Sequence, residues 1–273
     1  MKTGFLGRSV PEARDGRMLQ VMKRRRWLQT ILTKSKGEVG GPRVLAAEEQ
    51  IRAWIKANRR MKWGIEKEQF EKVQPPHLLT DCDRMEGFVG TVLFFGFGDD
   101  GTGHADAVLS GKRAWEYVSK IRKRRWLSTW QCEYIDLEKP DHIRLRPGAP
   151  KRPRGFYWAK LQPGGKYGPL TVAQARKRFD HETGCSAEGI QFLAITHPHF
   201  QKLMNDRKTP FMAFADYDVA PYGFNDFFDA LQMFVSDDTV GLGIGNLDFN
   251  YRMFVIPTIR FQSCHPYQEL RIE

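Results

Sequence analysis

Asp216, Tyr217 and Asp218 put two carboxylates one residue apart. On an extended chain such residues share a face, so the pair can hold a divalent cation, Mg²⁺ or Mn²⁺, as carboxylates do in nucleotidyl-transfer sites. Upstream, His197-Pro198-His199 offers two imidazoles, either of which can act as a general base, or both as ligands. The run Gly98-Asp99-Asp100-Gly101-Thr102-Gly103-His104-Ala105-Asp106 follows an apolar stretch. Its carboxylates repel phosphate, so it reads better as a metal loop than as a phosphate loop, with Asp99 or Asp100 completing a site. Each pattern also has an ordinary structural explanation: two exposed carboxylates opening a loop, a proline at a first helical position between exposed histidines, and a turn of Asp and Gly. A zinc-binding His pair four apart on a helix is absent, and so is a nucleotide-binding glycine fingerprint.

These groups act together only if the elements carrying them converge. Ile190–Ile195 is almost unbroken apolar sequence and reads as a strand, Pro198–Asp206 has room for about two helical turns, and Phe211–Ala215 reads as a second strand. The intervening segment, Thr196–Thr209, is long enough for a right-handed crossover between parallel strands. Parallel pairing sets the histidines and the aspartates at one crevice beyond the strand ends; antiparallel pairing sets them at opposite ends.

A second chemistry lies in the cations. Lys23-Arg24-Arg25-Arg26-Trp27-Leu28-Gln29-Thr30 and Arg122-Lys123-Arg124-Arg125-Trp126-Leu127-Ser128-Thr129 share one pattern, 99 positions apart. Four cations beside an indole suit DNA or RNA, because the charges displace counterions from phosphates while the ring stacks on an unpaired base. Taken singly, each run also reads as a helix C-terminus with cations against the macrodipole. Arg144 and Arg146 alternate with Ile143 and Leu145 and fall on the polar face of a strand, together with His142. Lys151, Arg152 and Arg154 project from a loop that its prolines keep extended.

The charge distribution points the same way. The 273-residue chain has a net charge of +11, but residues 1–80 carry 18 Lys+Arg against 8 Asp+Glu, 81–180 carry 19 against 12, and 181–273 carry 6 against 12. A basic body with an acidic end implies a polyanionic partner for the first part. With 41% hydrophobic residues, 19 Phe and 7 Trp, the chain can bury a large core and is not disordered. Cys82, Cys132, Cys185 and Cys264 are too far apart for a zinc motif or a dense disulfide framework, and read as free thiols. No apolar run approaches bilayer length and the start lacks a secretory h-region, so no membrane partner and a cytoplasmic location are expected.

The stretches Ile143-Arg144-Leu145-Arg146-Pro147-Gly148-Ala149-Pro150 through Gly155-Phe156-Tyr157-Trp158, and Ala194 to Gly223, resemble uncharacterised proteins of candidate-phylum bacteria with reduced genomes. The resemblance covers roughly the last two-thirds of the chain. It implies no activity and carries over no catalytic residue.

Taken in order, residues 14–32 read as a basic helix, Gly37–Pro42 as a break, and Val44–Met61 as a second helix with Ala47, Ile51, Trp54 and Ile55 on one face. Thr91–Phe97 reads as a strand, a helix begins near Lys112, and Trp130–Tyr134, Ile143–Leu145 and Phe156–Leu161 read as strands. Thr171-Val172-Ala173-Gln174 is a capping box for a helix from Val172 to about Phe179, with Gly184 as a stop. Asn225 reads as the cap of a helix with Phe227, Phe228, Leu231, Phe234 and Val235 on one face, and Gly241, Gly243 and Gly245 as a flexible loop. Met253–Phe261 reads as a last strand, with Pro257 demanding an edge or a bulge.

The expectation is an α+β fold, a mixed sheet with flanking helices, in which residues 1–76 form a basic helical extension and 77–273 the main domain. The expected function is nucleic-acid binding; the alternatives are a divalent-metal-dependent nuclease or phosphoryl-transfer enzyme built on Asp216 and Asp218, and a structural protein assembling through its opposite-sign halves.

Overall fold

Among the described residues the edge of one β-sheet is met by helix side chains, and this junction organises the architecture. In the computed structural model, which describes residues 45–97, 130–132, 143–150, 153–167, 170–185, 187–197, 211–220, 226–227, 229–236, 239–248 and 254–261, helix α1 spans Ala47–Met61. Its N-terminus is stapled by Glu49, whose carboxylate accepts the Ala46 N–H, and its end is marked by Lys62 in the left-handed region. The apolar stripe buries Trp54 and Ala57 completely. Short helices α2, Lys67–Glu71, and α3, Asp81–Met85, follow. Strand β1, Gly90–Phe97, then lies at the edge of the first sheet.

Among the described residues that sheet has four antiparallel strands: β1 pairs with β4, Arg154–Gln162, which pairs with β10, Thr258–Phe261, and β10 pairs with β5, Thr183–Gly184. The second sheet runs in the order β2, Trp130–Cys132; β8, Thr239–Asn246; β7, Asp229–Ser236; β6, Phe211–Val219; β3, Ile143–Leu145. It is antiparallel except where β2 meets β8 and where β9, Phe254–Val255, meets β6. Helix α4, Val172–Arg176, packs on β6, and helix α5, Ala187–Thr196, packs on α1 and β1. The fold is therefore α+β, with two sheets where one mixed sheet was expected.

One core joins these layers: Trp54 and Ala57 of α1, Leu93 of β1, Ile190 and Leu193 of α5, Phe214 of β6 and Leu231 of β7 belong to a single buried cluster. Residues of the N-terminal segment thus share the core of the rest of the chain. Ala213 and Ala215 of β6 build a smaller cluster with Val172 and Ala175 of α4 on the opposite face.

Five expectations are corrected. Ile190–Ile195 lies in a helix, so no strand–helix–strand crossover exists there, and the antiparallel neighbours of β6 are β3 and β7. Ile190, Leu193 and Ile195 are all buried, and an almost unbroken apolar run of six residues carries no period that separates a helix from a strand. The segment expected as a helix from Asn225 forms strand β7 where it is described, and Gly241, Gly243 and Gly245 lie in strand β8, paired in a hairpin with it. Gly184, expected as a helix stop, is part of β5. Its missing side chain is what lets the two sheets meet, since a Cβ there would stand 2.7 Å from the Asp216 nitrogen. Where it is described, from Phe254, the expected last strand is two strands and not one: Val255 pairs with Met212 in the second sheet, Thr258 with Gln162 in the first, and Pro257 lies between them.

The expected helices over 14–32 and from Lys112, the Pro198–Asp206 turns, and Tyr134 lie outside the described residues. Among the described residues no helix is long and apolar enough to cross a membrane.

Candidate functional site

Strand β6 carries an irregularity where the two aspartates sit. Its pairing with β7 passes from Phe214 opposite Leu231 to Asp218 opposite Ala230, so Ala215, Asp216 and Tyr217 have no register partner on β7. An odd insertion reverses the alternation of side chains. Phe214 and Tyr217 consequently both join the main core, while Asp218 reaches Arg176 of α4 and Asp216 reaches Arg146 and Thr183.

There they meet arginines. Asp216 is fully buried; its Oδ1 lies 3.3 Å from Arg146 Nε and its Oδ2 accepts the Thr183 hydroxyl from the first sheet. Asp218 pairs with Arg176 Nη1 at 2.9 Å and with Arg144 Nη2 at 3.8 Å. Arg176 also donates from Nε to the Ala215 carbonyl, 2.6 Å, and from Nη2 to the Tyr217 carbonyl, 3.1 Å, so one guanidinium satisfies the backbone that the irregularity frees. Burial lowers the Arg176 pKa from its usual value, against the pull of Asp218. Chemically this is a buried ion-pair cluster, in which Asp218 Oδ1 is met by the Arg176 charge without a hydrogen bond of good geometry, and it ties the bend of β6 to α4 and one sheet to the other.

A second acidic group spans α3, β4, β5 and β10. Asp83 receives Lys160 Nζ at 2.6 Å and Arg260 Nη1 at 3.3 Å, and Arg260 Nη2 reaches Glu86 at 2.6 Å. Burial pushes the Asp83 carboxyl up, but donation from Lys160 and from the Thr80 N–H and hydroxyl outweighs it, and the group is held below the usual carboxylate range. Glu182 accepts from Lys166, the Thr258 hydroxyl and, at 2.7 Å, the Tyr167 hydroxyl. Burial and then the Glu182 carboxylate raise the Tyr167 pKa, which keeps that phenol protonated.

His197 is fully buried at the end of α5, its Nδ1 2.8 Å from the Thr196 hydroxyl. Asp99, Asp100 and His199 lie outside the described residues, as do both Arg-Arg-Trp-Leu runs (Arg24, Arg25, Arg26, Trp27, Arg122, Lys123, Arg124, Arg125, Trp126), Lys151 and Arg152. Among the described residues no cluster of three His, Cys, Asp or Glu could hold a metal ion. Of the described arginines expected on a polyanion, Arg146 is committed to Asp216, Arg144 pairs with Asp218 and stands 3.8 Å over the Phe227 ring, and Arg154 is exposed.

Arg154 borders a cleft that sequence reasoning passed over. About 550 Å³ in volume, it lies between Trp54 of α1, the segment from Trp63 to Val73, and the β1–β4 pair. Trp54 forms its floor, with its indole N–H bonded to the Leu93 carbonyl at 3.1 Å. Trp63, Phe95 and Phe156 line it and are only partly buried; Phe95 and Phe156 are cross-strand partners in edge-to-face contact with centroids 5.0 Å apart. Lys72 and Arg154 contribute exposed cations. Gly96 faces Gly155 in the next register position; a Cβ on Gly96 would strike the Pro153 carbonyl at 1.9 Å, and Gly155 takes φ 82°. The aromatic lining comes from three sequence-distant segments, each of which reads in isolation as a core stripe.

The outer face of α1 is the other candidate surface. Arg52, Lys56, Arg59 and Arg60 are exposed and, with Ile55, line a shallow groove of about 420 Å³. Compared with known proteins, the chain matches no family model, no curated protein and no solved structure.

Proposed function

We propose that this protein binds nucleic acid as a polyanion. The observation that carries the reading is the cationic stripe of α1: positions 52, 56, 59 and 60 follow the helical repeat, so their charges stand along one exposed face while Trp54 and Ala57 are buried on the other. The stripe is about 12 Å long at the helical rise, which matches three to four phosphates of one duplex strand. Lys72 and Arg154 at the aromatic cleft add cations beside flat apolar walls. The net charge of +11, concentrated in the first 180 residues, supplies the long-range attraction.

The geometry favours this reading over a metal-dependent nuclease. Asp216 and Asp218 would each have to give up an arginine partner before taking up a cation, and the bend of β6 rests on those partners.

Labelled single-stranded and duplex oligonucleotides titrated at 50 and 200 mM salt test the proposal. About six neutralised phosphates should reduce affinity on the order of a thousandfold over that range. Reversing the stripe, Arg52→Glu with Lys56→Glu and Arg59→Glu, should abolish most of the salt dependence. A flat salt response of the unaltered protein overturns the reading.

A further inference from the structure

We infer that the cleft bounded by Trp63, Phe95 and Phe156 seats an unpaired base of a single-stranded nucleic acid, with its flanking phosphates on Lys72 and Arg154; this rests on the polyanion reading above. The argument begins with size. About 550 Å³ falls within the range of small-ligand sites and admits a planar base with its sugar.

The lining decides the chemical class. Aromatic cages that accept organic cations leave the mouth neutral or acidic, whereas here the charged side chains beside the rings are Lys72 and Arg154. A flat apolar face next to positive charge suits an anion carrying a ring, and a nucleotide has both. The main chain adds to the fit, because Gly96 and Gly155 face each other without side chains where the cleft meets the sheet.

The walls are also held in place before any ligand arrives. Asn58 clamps the loop that carries Trp63, donating from Nδ2 to the Ile65 carbonyl at 2.7 Å and accepting the Ile65 N–H on Oδ1 at 3.2 Å. The Trp158 indole N–H donates to the Gln74 carbonyl at 2.6 Å and so pins the far end of the same segment to β4. Trp54 is fixed by its bond to Leu93 and lies 5.9 Å from Trp63, centroid to centroid. A site ordered in advance loses little entropy on binding. A strand is favoured over a free nucleotide because Trp54 floors the cleft from the buried face of α1 while Arg52, Lys56, Arg59 and Arg60 stand on its opposite, exposed face, so a nucleotide in the cleft cannot reach those cations and a polymer can.

The test uses the full chain and three probes: a single-stranded oligonucleotide, the same oligonucleotide with abasic positions, and a nucleoside monophosphate. Removing bases while keeping phosphates should weaken binding about ten- to a hundredfold, the usual worth of one stacked base. Trp63→Ala should weaken the intact oligonucleotide to the same degree and leave the abasic one unchanged, while Trp63→Phe recovers most of the loss. Because Trp63→Ala also removes a contact to Trp54, photocrosslinking of a halogenated-base oligonucleotide to the unaltered protein provides a second readout, with adducts expected on Trp63, Phe95 or Phe156. Equal affinity for intact and abasic strands, or adducts confined to other segments, overturns the cleft assignment while the polyanion reading stands. A monophosphate that binds as tightly as the strand overturns the polymeric occupant. Absence of binding to any oligonucleotide overturns both.

Discussion

The side chain of Gln50 completes the hydrogen bonding of Leu93. Gln50 Oε1 accepts the Leu93 N–H at 3.0 Å while its Nε2 donates to the Thr91 carbonyl at 3.1 Å, so a primary amide on α1 bonds these positions as the peptide group of a neighbouring strand would. Trp54 Nε1 extends the pairing to the Leu93 carbonyl, and Gln50 Nε2 also reaches Leu45 at 2.9 Å. An open sheet edge inside a protein would otherwise bury unpaired backbone groups. The helix is docked by polar as well as apolar contacts, and the floor of the aromatic cleft is set by the same joint.

Gln50→Leu should therefore destabilise the protein by about 1–3 kcal/mol, since it buries the Leu93 N–H and Thr91 carbonyl without partners. Gln50→Glu should cost more, because a carboxylate has no donor for Thr91 or Leu45. Denaturant midpoints at unchanged slope would measure both; equal stability of the Glu variant and the parent would refute the pairing.

Arg176→Met should cost about 3–5 kcal/mol, as it leaves buried Asp218 short of its principal partner and two carbonyls without donors. Asp218→Asn in the same chain should restore part of that loss. Thermal melts of the two single variants and the double variant give the coupling directly, and strict additivity would show that the pair does not act as a unit.

Gly184→Ala tests the contact between the sheets. The added methyl would lie 2.7 Å from the Asp216 nitrogen, a backbone atom of the next sheet that cannot rotate away. The expected loss is about 1–3 kcal/mol. Gly165→Ala, whose Cβ meets nothing within 4 Å, is the control and should change stability little.

Acid sensitivity should trace partly to Asp83. Its folded-state pKa lies below 3.8, so its ion pairs with Lys160 and Arg260 stabilise the fold above that value and their contribution is lost as pH falls through the folded-state pKa. Asp83→Asn should be less stable than the parent at neutral pH and should show a shallower loss of stability below pH 3.8. Unfolding followed by circular dichroism between pH 2 and 7 would reveal parallel curves if Asp83 contributed nothing.

Local patterns were legible where one face of an element meets water. The 3.6-residue stripe of Ile51, Trp54 and Ile55 marks α1, Thr171 and Gln174 form the expected capping box, and Ile143 and Leu145 alternate with arginines as a half-buried strand does. Where both faces are covered the pattern vanishes. Residues 190–195 carry no readable period in α5, and β7 buries Ala230, Leu231 and Met233 in succession or nearly so, which imitates a helical stripe.

By itself the sequence determined the α+β class, the basic first two-thirds, the Thr171 capping box, and the carboxylate pair at 216 and 218, because these follow from neighbours within a few residues. Only the tertiary structure decided that those carboxylates are held by arginines from β3, the turn after it, and α4, and that Trp54, Trp63, Phe95 and Phe156 gather around one cleft. The reason is physical: charge neutralisation and cavity shape depend on atoms brought together from distant segments, and no local pattern encodes which segments will meet.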